Sequence, residues 1–138
     1  MSDTDSVFKI ATKANITLAI IIREKIDSSE TIFFSNPTDD LQIGLIVTNK
    51  TRGIAKHRHL RNERKIFSTS EFLHIQAGEC VLILNDWDQT EEFRVNLKTR
   101  DSVLLLNGCH ALESLTSDLK ILEVKQGPFI AAIDKEYV

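Results

Sequence analysis

Apolar residues in this chain recur in short runs of period two rather than in helical stripes. Runs rich in Ile, Val, Leu, Phe and Thr predict strands at 16–24, 31–35, 41–49, 53–59, 71–76, 79–85, 91–97, 102–106, 109–115 and 119–125. Turns separate them: "QAGE" at 76–79, "NGCH" at 107–110 with a hairpin-favouring Asn-Gly pair, and a longer tip, "NDWDQTEE", at 85–92. "SVFKIATKANI" reads as a short helix with Ser6 as its cap. About ten short strands hide their apolar faces only by packing two sheets together or closing a barrel. The pattern therefore predicts an all-β sandwich or barrel with a small-molecule site at its mouth.

"GIAKHRHL", 53–60, adds chemistry to that pattern. On a strand, His57 and His59 project from one face. Glu71 shares parity with Leu73 and Ile75, and His110 shares parity with Leu112, so both are expected to point inward. An inward carboxylate is costly unless a positive or hydrogen-bonding group meets it. Imidazole nitrogens and carboxylates are ligands of Zn²⁺, Fe²⁺, Mn²⁺ and Ni²⁺, so His57, His59, Glu71 and His110 are candidate ligands of one divalent ion. Each also has a plainer reading: an exposed His pair, an edge glutamate, a turn histidine. His74 has the opposite parity and is assigned to the other face.

The 138 residues form one expected domain, 1–138, without repeats or linkers. A net charge of −3 offers no basic footprint, so neither nucleic acid nor an anionic membrane is an expected partner. Cys80 and Cys109 make neither a CxxC pair nor a disulfide framework, which fits a reduced, cytoplasmic protein. The polar start "MSDTDSVFKIATKAN" has no signal-peptide character, and "ITLAIII" is too short to span a bilayer. No Ser-His-Asp pattern, P-loop or dinucleotide fingerprint occurs. "RNERK", 61–65, reads as a solvated loop or as a grip in which Arg61, Arg64 or Lys65 holds a carboxylate or phosphate. Lys125 and Gln126 are expected to be structural or to support neighbouring site residues rather than to be catalytic, and Cys109 to be an apolar thiol facing away from His110.

The segment from Gly53 to Val138 resembles the cupin superfamily. Its first motif is matched by Gly53, His57, His59, Glu71 and Gly78, and its second is approximated by "DSVLLLNGCHALESL" with His110. The His59–Glu71 interval is longer than usual, and Arg100 stands where a turn glycine is common. "HRHLRNERKI", "TSEFLHIQAGECVLIL" and "ILEVKQGPF…DKEYV" resemble a group of small cupins found among bacterial surface-polysaccharide biosynthesis genes. The resemblance implies a double-stranded β-helix (jelly-roll, cupin barrel) whose metal is held by His57, His59, Glu71 and His110. It further implies a metalloenzyme, an isomerase, epimerase or oxygenase, acting on a small molecule or sugar intermediate of polysaccharide assembly. The alternatives are a non-catalytic carbohydrate- or metabolite-binding module on the same barrel, and a metal-free site in which the histidines exchange protons. A homodimer is expected, because "ITLAIII" reads as an apolar strand with a free edge.

Overall fold

The structure, a computed structural model, describes residues 5–138. Ten strands follow in order: β1 (Val7–Ala11), β2 (Thr17–Ile22), β3 (Ile32–Phe33), β4 (Gly44–Leu45), β5 (Glu71–Ala77), β6 (Glu79–Asn85), β7 (Glu92–Lys98), β8 (Ser102–Leu105), β9 (Cys109–Ser114) and β10 (Lys120–Lys125). Every pairing is antiparallel, and no helix occurs among the described residues. The chain is all-β. No helix of the described residues is long and apolar enough to cross a membrane.

The strands form a five-stranded sheet in the order β1-β2-β8-β5-β10, a three-stranded sheet in the order β7-β6-β9, and a small β3-β4 hairpin. Period-two alternation explains how the two larger sheets meet. Leu73 and Ile75 from β5, Leu82 and Leu84 from β6, Val95 and Leu97 from β7, and Val103 and Leu105 from β8 share one buried core. The alternate residues of the five-stranded sheet form a second cluster on its outer face. There Ile20, Ile22, Leu104 and Leu106 are covered by Ile26, Phe34, Leu41 and Ile43.

Strand β2 therefore lies inside the structure on both faces and both edges. It is hydrogen-bonded between β1 and β8, and Leu18 through Ile22 are all buried. A continuous apolar run is what such a strand requires, and burying each Ile contributes about 1.5–3 kcal/mol. The expected free edge at "ITLAIII" is corrected accordingly; the free edges of this sheet are β1 and β10. The short helix expected after Ser6 is also corrected. Residues 7–11 form β1 instead, registering Val7 with Ile22 and Ile10 with Ala19. Pairing with β2 outweighs the marginal stability of so short a helix.

Turn chemistry holds the sheets in register. Gly78 (φ +81°) and Gly108 (φ +77°) occupy left-handed positions where a Cβ would meet Thr116 Oγ1 at 2.4 Å and Asn85 O at 2.1 Å respectively. Arg100 takes φ +77° at the position where the sequence pattern asks for glycine. Its amide donates to Ile75 O, and its guanidinium pairs with Glu24.

The largest departure from the sequence pattern is the strand expected at 53–59. Residues 46–70 contain no strand, and every side chain from Ile46 to Thr69 is exposed. We refer to this stretch as the arm. From Ile54 to Thr69 the described residues make a single hydrogen bond, between His57 Nδ1 and Ala55 O at 2.9 Å.

Candidate functional site

Strand β5, inside the five-stranded sheet, and β9, an edge of the three-stranded sheet, build the site. Glu71 opens β5 on the same face as Leu73 and Ile75, so the core that buries those residues also carries Glu71 inward. His110, the second residue of β9, shares its face with Leu112, which packs against the same core. The two side chains meet across the sheets: His110 Nε2 lies 3.2 Å from Glu71 Oε2. The glutamate side chain is 17 % exposed and the histidine 37 %, so the pair borders solvent. The side-chain hydrogen bond with His110 holds the Glu71 carboxyl below its ordinary value. Burial opposes that shift, and the charges of His110 and Lys125 add to it.

Lys125 joins them through strand register. It stands opposite Glu71 in the β5–β10 ladder. Its Nζ lies 3.9 Å from Glu71 Oε1 and 2.9 Å from Glu123 Oε1, with the ammonium 5.4 Å from the centroid of the Phe129 ring. The hydrogen bond to Glu123 raises the lysine pKa. The next residue, Gln126, accepts a hydrogen bond from the amide of buried Ser70, fixing the entry to β5. Lys125, expected to be structural or supporting rather than catalytic, thus stands beside Glu71. Its place depends on pairing between β5 and β10, which lie over forty residues apart.

His74 behaves as its parity predicts. It lies on the opposite face, with Nδ1 2.9 Å from Ser102 Oγ. Cys109 is half-buried, and Cys80 is fully buried with its thiol pKa raised by that burial.

The other expected ligands lie on the arm. His57 and His59 stand together with ring centroids 5.2 Å apart, edge to face. Arg61, Arg64 and Lys65 are exposed, and none is bonded to Glu71, His110 or Lys125. The structure thus divides the four expected ligands into two pairs, Glu71 with His110 and His57 with His59. Among the described residues, no group of three His, Cys, Asp or Glu side chains is placed to hold an ion. The Glu71–His110 separation suits neighbouring ligands of one ion, since metal–donor bonds of about 2 Å place adjacent donors about 3 Å apart. Glu71 and His110 are the two expected ligands that the structure brings together.

A cleft of about 570 Å³ lies at the other end of β8, lined by Arg23, Glu24, Asn96, Lys98 and Asp101 among others. It contains none of the expected site residues.

Comparison with family models, curated proteins and solved structures found no match to this chain.

Proposed function

We propose that Glu71, His110 and Lys125 form the nucleus of a small-molecule site at the open end of a cupin-like β-sandwich. The observation that carries this reading is the 3.2 Å contact between a mostly buried carboxylate and an imidazole drawn from two different sheets. A purely structural glutamate would be placed in solvent more cheaply than on the core face. Here it is met by an imidazole at 3.2 Å and by the Lys125 ammonium at 3.9 Å. Glu71 orients the His110 ring, and His110 holds or releases a proton at Nε2. Lys125 supplies positive charge for an anionic or hydroxylated ligand. The reaction classes that suit this set move a proton on a small polar molecule, as in the isomerisation or epimerisation of a sugar intermediate. A divalent ion, Zn, Fe, Mn or Ni, belongs to the reading through the spacing of the Glu71–His110 donors.

The second reading is a non-catalytic carbohydrate- or metabolite-binding module at the same site. It is favoured by the absence, among the described residues, of another titratable side chain bonded to the Glu71–His110–Lys125 set besides Glu123.

The test is metal and ligand uptake. Protein purified without chelator is analysed for bound metal and then titrated with Zn²⁺, Fe²⁺, Mn²⁺ and Ni²⁺, alongside Glu71→Gln and His110→Ala. The expected result is uptake by the wild type that falls at least tenfold in both variants. Uptake unchanged by either substitution overturns the assignment of the pair.

A further inference from the structure

The division of the expected ligands into two pairs coincides with a division of charge. Between Lys50 and Lys65 lie seven of the chain's 17 Lys and Arg but one of its 20 Asp and Glu, so this stretch carries +6 and the rest of the chain −9. None of the seven cations forms an ion pair with another described residue. The same arm leaves Ile54 62 %, Leu60 79 % and Phe67 93 % exposed. A segment this basic and this apolar, with exposed side chains and no ion pair to the described residues of its own body, has the composition of an element that docks elsewhere.

The body presents a matching surface. Strand β10 is a free edge of the five-stranded sheet, and β9 is a free edge of the three-stranded sheet. On β10, Leu122 and Val124 are about half exposed, and they register with His74 and Phe72. Phe72 packs against the outer-face cluster, so Leu122 and Val124 continue that cluster's apolar surface beyond the point where Ile26 to Ile43 cover it. An unpaired edge bordered by apolar side chains is a template for another extended segment.

We propose that the arm is exchanged between two copies of this chain. Each arm lies along the β9 and β10 edges of the other copy, bringing His57 and His59 of the partner subunit to Glu71 and His110. The proposal rests on the reading of Glu71 and His110 as a ligand site and names what completes it. A second copy fits because the arm carries +6 while the rest of the chain carries −9 overall. Reciprocal docking is a closed two-fold arrangement that covers both exposed apolar sets at once. Among the described residues, the arm makes no hydrogen bond to its own body from Leu60 to Thr69. That stretch, "LRNERKIFST", has neither glycine nor proline and no hydrogen-bonded turn. The eleven steps from His59 to Ser70 reach as far as about 37 Å when extended, which gives the arm the span to meet a second copy.

The experiment mixes two full-length variants. His57→Ala/His59→Ala keeps the body donors, and Glu71→Gln/His110→Ala keeps the arm donors. Each is analysed alone and after co-expression, with Zn²⁺ as the probe. Oligomeric mass is measured by light scattering before metal is added. The wild type is expected at twice the chain mass. Leu60→Ser/Phe67→Ser, altered only on the exposed arm, is expected at the single-chain mass with an unchanged thermal transition. Each ligand variant alone is expected to lose Zn²⁺. Co-expression is expected to restore about a quarter of wild-type occupancy, since half the dimers are mixed and each mixed dimer has one intact site. A monomeric wild type that binds Zn²⁺ overturns the exchange and leaves the proposed site standing. A dimer whose mixed variants recover nothing overturns the sharing. A wild type that takes up no Zn²⁺ overturns both the shared site and the metal reading on which it rests.

Discussion

Glu71 and His110 belong to different sheets, yet their side chains approach to 3.2 Å at the solvent border of a mainly aliphatic core. Each comes from a strand whose alternation forces the residue inward, so the contact follows from two independent parity relationships. Its energetic consequence can be read through pH.

The Glu71 carboxyl titrates below its ordinary value in the folded chain, mainly because of the hydrogen bond with His110. The native state therefore binds fewer protons than the unfolded state as pH falls through this range. The stabilisation is complete above the unfolded glutamate pKa, about 4.3, and is lost as pH drops through the lower folded value. In chelator-treated protein, urea unfolding at neutral pH is expected to show Glu71→Gln less stable than wild type. That gap is expected to shrink progressively below about pH 4.3. A gap that stays constant from neutral pH to pH 3 would contradict the paired carboxylate.

At the other end of β8 a second ion pair has a different character. Asp101 is fully buried, and its Oδ2 accepts from Arg23 Nη1 at 2.7 Å and from the Lys98 amide at 3.1 Å. Arg23 also donates to Asn96 O at 2.8 Å, so the pair ties β2, β7 and the start of β8 together. Removing one partner of such a pair strands the other, at a cost of about 3–5 kcal/mol. Asp101→Ala is expected to lower unfolding free energy by about that amount in chemical denaturation. Arg94→Ala, which breaks exposed pairs with Glu92 and Glu113, is expected to leave the midpoint nearly unchanged. Equal effects of the two substitutions would count against a structural role for Asp101.

Much of the body was readable from alternation alone. The six strands from β5 to β10 lie within one to two residues of their expected bounds, because each pairs with a neighbour that its own pattern matches. The inward parity of Glu71 and His110 and the outward parity of His74 followed from period two. "ITLAIII" was misassigned to an edge, although a run apolar on both parities is better suited to an interior strand. The arm was misread because "GIAKHRHL" alternates without enough apolar residues to hold a strand, and its cations repel one another. Net charge concealed this, since a total of −3 averages a +6 segment against a −9 remainder. The contact of Lys125 with Glu71 was not legible for another reason: it depends on β5–β10 register, and a single chain does not state its long-range pairings.

The account turns on His110 as the responsive group at the site, and imidazole NMR reads it directly. The four histidines report on different places: His57 and His59 on the arm, His74 on the outer face beside Ser102, and His110 beside Glu71. On titration with Zn²⁺ the ring signals of His110 are expected to move or broaden while those of His74 stay fixed, and Glu71→Gln is expected to abolish the His110 response. Zn²⁺ that perturbs only His57 and His59, leaving the His110 ring unchanged at saturation, would contradict the account.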